Sequence, residues 1–210
     1  MVKIQSKACN RANYGGKRTI APLYIVIHFT SNQGDTAKNN AVYFAREIVK
    51  ASAHYFVDET EIWQSVPDDS IAWHCGGSRY YHPECRNSNS IGVEVCMNDK
   101  QGRVRVQSID LANELVQVLM ARYNIPADRV IRHYDVTHKN CPAPMVEDPA
   151  RWKEFKKKLE VSMANDKPAA WAADAWEKAT KAKVVDGTRP TEPITRQEVV
   201  VILDRLKLIK

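Results

Sequence analysis

Nothing in the 210 residues approaches the roughly 18 consecutive apolar residues that a membrane-spanning helix requires, so no helical membrane span is expected. The opening stretch MVKIQSKACNRANYGGKR carries charge but no apolar centre. It does not read as a secretory leader, and synthesis in the cytoplasm is the expectation. A basic stripe interleaved with aromatics is also missing. The net charge of +6 and the pI near 9.0 come from lysines and arginines scattered among acids, so no nucleic-acid partner is expected, while an anionic wall polymer stays compatible. The five cysteines are an odd number in a chain without a leader, which speaks against a disulfide framework and for reduced thiols. Cys75 and Cys85, flanking a glycine-containing loop, could still pair once outside a reducing compartment, and the sequence leaves that open.

What is present is ordinary in bulk: 44% hydrophobic and 27% charged residues in 23.9 kDa suit one main domain with a small appendage. Two stretches stand apart. Residues 133–144, HYDVTHKNCPAP, bring His133, His138, Lys139 and Cys141 together without helical or strand periodicity. With Pro142 and Pro144 they read as a rigid loop displaying side chains. Imidazole and thiolate suit Zn²⁺, but no short Cys-x-x-Cys or His-x-x-x-His pair stands nearby to complete a site. A further ligand would have to come from far away; otherwise this is a loop with a buried cysteine and surface histidines. Residues 23–28, LYIVIH, form the second stretch, a continuous apolar run typical of a fully buried strand, and His28 closes it. A histidine there sits at the rim of a sheet, where α/β folds place their sites, or is simply a satisfied core histidine.

In chain order, residues 1–22 look irregular, with Cys9, Asn10 and Asn13 covering either a groove or a core edge. A helix is expected over residues 36–51, capped by Asp35, with Val42, Phe44, Ala45, Ile48 and Val49 inward. Strands are expected at residues 54–58 and 61–66 as a hairpin, at 90–97 and at 130–133, with a helix over 108–123 capped by Ser108. Leu111, Leu115, Val118, Leu119 and Arg122 recur along that helix at helical spacing. Asp148 followed by Pro149 opens another helix to about residue 160. Helices alternating with strands predict an α/β fold with a mixed central sheet flanked by helices. Glu94 is a lone acid in the apolar run SIGVEVCM: either a strand residue exposed on one face or an enclosed carboxyl with a raised pKa.

Four blocks carry a family resemblance: IVIHFTSNQGDTA, SAHYFVDETEIWQSVPDDSIAWHCG, NSNSIGVEVCMN and HYDVTHKNCPAP, in order over about residues 20–160. They resemble the zinc-dependent N-acetylmuramoyl-L-alanine amidases of type 2, relatives of the peptidoglycan recognition proteins, in their phage and prophage endolysin form. The resemblance implies one Zn²⁺ held by His28, His133 and Cys141, with Glu94 as acid/base and Lys139 as a cation at the oxyanion. It also implies a lining of the substrate groove by His54, Trp73 and His74, although Trp63 and Trp73 may equally be core. Some family members have a catalytic tyrosine just before the histidine of the second block; here that place is Ala53, which removes tyrosine from the expected mechanism. The expected activity is cleavage of the amide between N-acetylmuramic acid and L-alanine in bacterial peptidoglycan, reached after release from the cytoplasm. The alternative is a peptidoglycan-binding module without catalysis. Host, stem-peptide preference and oligomeric state are not legible.

Residues 1–161 are thus expected to be the catalytic domain and residues 162–170, small and polar, a linker. Residues 171–210 pattern as a helical hairpin, with Trp171, Ala175, Ala179 and Val184 serving the first helix and Thr195 with Glu198 capping the second. The pattern resembles a single short copy of the surface-layer homology motif. It reads as a wall anchor, a support for the fold or a contact for association.

Overall fold

The computed structural model describes residues 3–165, 168, 170–185 and 196–208. In chain order its elements are β1 (Ile4–Ser6), β2 (Tyr14–Lys17), β3 (Tyr24–Phe29), α1 (Ala37–Arg46), β4 (Tyr55–Val57), β5 (Ile62–Gln64), β6 (Ser70–Ala72), β7 (Ser90–Val95), α2 (Val106–Tyr123), β8 (Val130–Arg132), α3 (His133–Thr137), α4 (Ala143–Val146), α5 (Pro149–Asn165), α6 (Ala173–Lys181) and α7 (Arg196–Arg205). They fall into two units, Met1–Leu159 and Glu160–Lys210. Among the described residues no helix is long and apolar enough to cross a membrane.

The first unit is built on a mixed six-stranded sheet in the order β1-β5-β4-β7-β3-β8. The apolar run ending in His28 becomes β3, which lies between β7 and β8 and runs parallel to both. Strands with parallel neighbours have both faces covered, and this accounts for the unbroken hydrophobicity. The period of two then sorts the side chains. Ile25 and Ile27 of β3, with Ile91, Val93 and Val95 of β7, join Leu115 and Leu119 of α2 and Phe155 and Leu159 of α5 in the main core. Tyr24 and Val26 belong to a second cluster with Cys75, Cys85, Ile131 and Val136. His28, Ser90, Gly92 and Glu94 share the phase of Tyr24 and Val26 and lie on this second face. The 54–58 and 61–66 segments form the β4–β5 antiparallel hairpin.

Several boundaries differ from the sequence reading, each for a local reason. Helix α1 is capped by Thr36, whose hydroxyl accepts from Asn39 N–H; Asp35 instead accepts from Asn40 and Arg105. It stops at Arg46 because Asn13 competes for its end, donating to Phe44 and Glu47 carbonyls and accepting from Val49 and Lys50 N–H. Ile48 therefore lies past the helix and is exposed, and the buried face is Ala37, Asn40 and Ala41. Asn13 and Cys9 thus cover a core edge. Helix α2 begins two residues before Ser108, which is buried within it, and Arg122 turns outward to Asp68.

The 133–144 segment is more regular than the loop its prolines suggest. Asp135 accepts from Arg132 N–H and pairs with its guanidinium, starting α3, and His138 ends that helix in the left-handed conformation. Pro142 caps α4 and Pro144 sits in its first turn, where a missing N–H breaks no helical bond.

In the second unit α5 runs to Asn165, into the stretch read as linker, since Met163 and Ala164 favour helix. Trp171 is 90% exposed, so it does not serve the inner face of α6. Residues 186–195, including the expected Thr195 cap, lie outside the described residues, as does the side chain of Glu198.

Candidate metal centre

Three adjacent parallel strands end at one place. His28 is the penultimate residue of β3, Glu94 lies beside it in register on β7, and His133 immediately follows β8. The chain returns through α3, and Tyr134 N–H donates to the Cys141 carbonyl at 2.8 Å, which draws Cys141 back to the strand ends. One donor atom from each of His28, His133 and Cys141 lies within 4.8 Å of the others, and all three residues are buried. His28 Nδ1 is 3.8 Å from Cys141 Sγ and 4.0 Å from Glu94 Oε1. Tetrahedral zinc with nitrogen at about 2.0–2.1 Å and sulfur at about 2.3 Å spaces its donors by roughly 3.3–3.8 Å. The donor set fits such an ion.

Electrostatics agree with the fit. Burial holds the His28 imidazole well below its usual pKa, helped by His74 and His133, so its lone pair is free at neutral pH. Burial and the nearby Lys139 charge hold His133 down to about 4. The Cys141 thiol is pushed up to about 12 by burial and by Glu94, and Glu94 itself is raised by burial to about 7, with Lys139 pulling it back. A divalent cation inverts this logic and would hold the cysteine as thiolate. Both ring nitrogens of His133 and Glu94 Oε2 are enclosed without a hydrogen bond of standard geometry, the Gly76 backbone being only a loose neighbour of His133. Each such atom costs about 1–3 kcal/mol. One His133 nitrogen and Glu94 Oε2, unsatisfied beside His28 and Cys141, mark a place where another group completes the bonding.

The remaining residues singled out from the sequence separate sharply. Lys139 is exposed at the rim, and its charge acts on His28, His133, Glu94 and Cys141. His138 is no donor here; it stacks on Tyr81 with centroids 3.7 Å apart. Trp73 is half-buried. His54 and His74 do not line a groove. His54 is fully enclosed: Nδ1 accepts from Gly92 N–H at 2.9 Å, and Nε2 faces the Ser70 carbonyl at 3.2 Å. His74 lies behind His28, with Nδ1 3.0 Å from His28 Nε2. Both rings point inward because β6 and the following turn pass over the second face of the sheet.

Sequence reasoning missed the supports of this arrangement. Half-buried Arg18 donates to the carbonyls of Ser70 and Ser90, and no local pattern announces it. Gly92 did carry a signal. A glycine inside a β-branched run marks a close approach, and a Cβ there would collide with the His74 ring.

The fold and site thus define an α/β domain holding a two-histidine, one-cysteine donor set beside a carboxyl with one oxygen enclosed. Residues 18–144 match the Amidase_2 family, described as N-acetylmuramoyl-L-alanine amidase, and the chain belongs to that family. It is 32% identical over 185 residues to a probable N-acetylmuramoyl-L-alanine amidase of Bacillus licheniformis, covering 84% of this chain and 52% of that protein. It is 35% identical over 151 residues to the amidase CwlL of the same species, covering 67% and 41%. The chain therefore spans about half the length of these curated relatives, or less. Among solved structures, the catalytic domain of XlyA superposes with a TM-score of 0.65 at 30% identity, covering 75% of this chain and 99% of that one. PlyL gives 0.65 at 32%, covering 75% and 97%.

Proposed function

We propose that this chain hydrolyses the amide between N-acetylmuramic acid and the L-alanine of the stem peptide in bacterial peptidoglycan, as a phage or prophage endolysin does, with one Zn²⁺ at His28, His133 and Cys141. The observation carrying this reading is the convergence of those three donors within 4.8 Å, with the Glu94 carboxyl 4.0 Å from His28. When bound, the ion supplies a Lewis acid for the scissile carbonyl and lowers the pKa of water toward about 7. Glu94 takes the proton of the attacking water and passes it to the leaving nitrogen. Lys139, on the open rim, offers its ammonium to the negative charge that develops on the carbonyl oxygen. Trp73 is the one proposed groove residue that keeps an exposed face. The second unit we read as a wall anchor that raises the local concentration of the catalytic unit near the polymer.

The test is mass spectrometry of purified peptidoglycan digested by the full chain. Free stem peptides with an L-alanine amino end, abolished by a strong chelator and restored by Zn²⁺, are expected. Walls that bind the protein but release no such ends would instead establish a binding module.

A further inference from the structure

On the side of His28 away from the donor cluster runs a line of polar groups to which the proposed chemistry gives no task. His28 Nε2 is 3.0 Å from His74 Nδ1, His74 Nε2 is 3.2 Å from Ser90 Oγ, and Ser90 Oγ is 2.6 Å from the Arg86 carbonyl oxygen. His28, His74 and Ser90 are all buried. The protons along this line are fixed from its far end. A carbonyl only accepts, so the Ser90 hydroxyl gives its single proton to Arg86. Ser90 Oγ can then only accept from His74, which places the His74 proton on Nε2 and leaves Nδ1 bare. The bare Nδ1 accepts from His28, so His28 is protonated on Nε2 and turns an unprotonated Nδ1 toward Cys141 and Glu94.

The ring of His74 is held by more than these bonds. A Cβ at Gly92 would come within 2.7 Å of His74 Nδ1, so the imidazole packs directly against the bare backbone of β7. Asn87 Oδ1 accepts from the backbone N–H of His74 at 3.0 Å and of Cys75 at 2.9 Å. Gly92 leaves the room that the ring fills, and Asn87 fixes the backbone that carries it.

We propose that His74 is a positioning residue of the metal centre: it locks His28 in the Nε2-protonated tautomer, so that Nδ1 faces a divalent metal before the metal arrives. The metal-facing half of this inference rests on the zinc reading; the tautomer concerns the metal-free chain as well. Groups that take the second N–H of a metal-bound histidine are ordinarily carboxylates, carbonyls or water, and losing one costs about 10–100-fold in metal affinity. Here a neutral imidazole does this work without adding a negative charge.

Two measurements on the full chain decide it. A long-range proton–nitrogen spectrum of metal-free wild type at neutral pH should show His28 protonated on Nε2; a proton on Nδ1 overturns the proposal. Zn²⁺ affinity, measured by competition with a chromophoric chelator, should fall about 10–100-fold in His74→Leu and stay close to wild type in His74→Asn, whose amide oxygen stands where Nδ1 stood. Gly92→Ala, which keeps the imidazole but displaces it, should behave like His74→Leu. Unchanged affinity in His74→Leu, or equal losses in Leu and Asn, overturns the proposal. If His74→Leu does not fold, the wild-type spectrum still decides. A wild type that binds no Zn²⁺ would sink the zinc reading instead, and the spectrum, needing no metal, tells the two failures apart.

Discussion

His54 and His133 are both buried histidines flanking parallel strands of one sheet, His54 just before β4 and His133 just after β8, and their hydrogen bonding differs. His54 has both ring nitrogens facing backbone partners, Gly92 N–H and the Ser70 carbonyl, whereas neither nitrogen of His133 has a partner of standard geometry. Burial lowers the pKa of each to about 4, so neither burial nor pKa separates a structural imidazole from a candidate ligand. Hydrogen-bond satisfaction does. The same test separates Glu94, whose Oε2 is enclosed and unpaired, from Asp58, whose oxygens accept from Ala37, Thr60 and Glu61.

The comparison breaks most visibly at the unsatisfied group. Cys141→Ala should purify with far less zinc than wild type by elemental analysis and release no stem peptides. Stoichiometric zinc in that variant would take the thiolate out of the centre. Next, Glu94→Gln should retain zinc and the wild-type circular dichroism but lose about 10²–10⁴-fold in hydrolysis rate. Activity within a few-fold of wild type would place the proton transfer on another group.

The satisfied group should show itself in stability rather than in turnover. His54 titrates near 6.5 when unfolded and about 4 when folded, so the unfolded chain binds the extra proton between those values. Its contribution is fully present above pH 6.5 and is lost as the pH falls toward 4, amounting to about 3 kcal/mol. Urea unfolding of the metal-free chain at pH 7 and pH 4.5 should show this decline together with those of His28, His74 and His133, whose pKa values burial also lowers, and His54→Gln should remove only its own share of the slope. An unchanged slope in that variant would mean that another buried group governs the acid limb. The smallest effect is expected from removing the second unit. A chain ending at residue 161 should cleave small soluble muropeptides at near wild-type rate while pelleting less with purified walls. Equal pelleting would end the anchor reading.

Much of this is legible in the sequence. The unbroken run of residues 23–28 needs both faces covered, which places His28 at the end of a central strand. Glu94 stands out because every neighbour in its strand is apolar or small. The residues alone left zinc open, since two donors within nine positions make no site; the third lies more than a hundred residues away, and the resemblance supplied it. What the sequence hides is phase and distance. Whether His54 and His74 face a groove or the interior depends on how β6 and its turn cross the sheet, and no periodicity in AWHCGG records that. Asn13 ends α1 from more than thirty residues upstream, so the helix expected over residues 36–51 stops at Arg46. The prolines at 142 and 144 read as helix breakers in the sequence, yet both stand at the start of α4, where the chemistry of proline permits a helix.

The order of the strands also dictates a timetable. β3 is made before both its sheet neighbours, β7 and β8, the second of which comes only at Val130–Arg132. The strand bearing the first donor stays without a pairing partner while some sixty residues follow it, and the other two donors come later still. A chain interrupted anywhere before residue 141 contains at most two of the three donors. Such long-range closure makes for slow folding, and on the zinc reading a chain can capture its ion only once the residues up to Cys141 have been made.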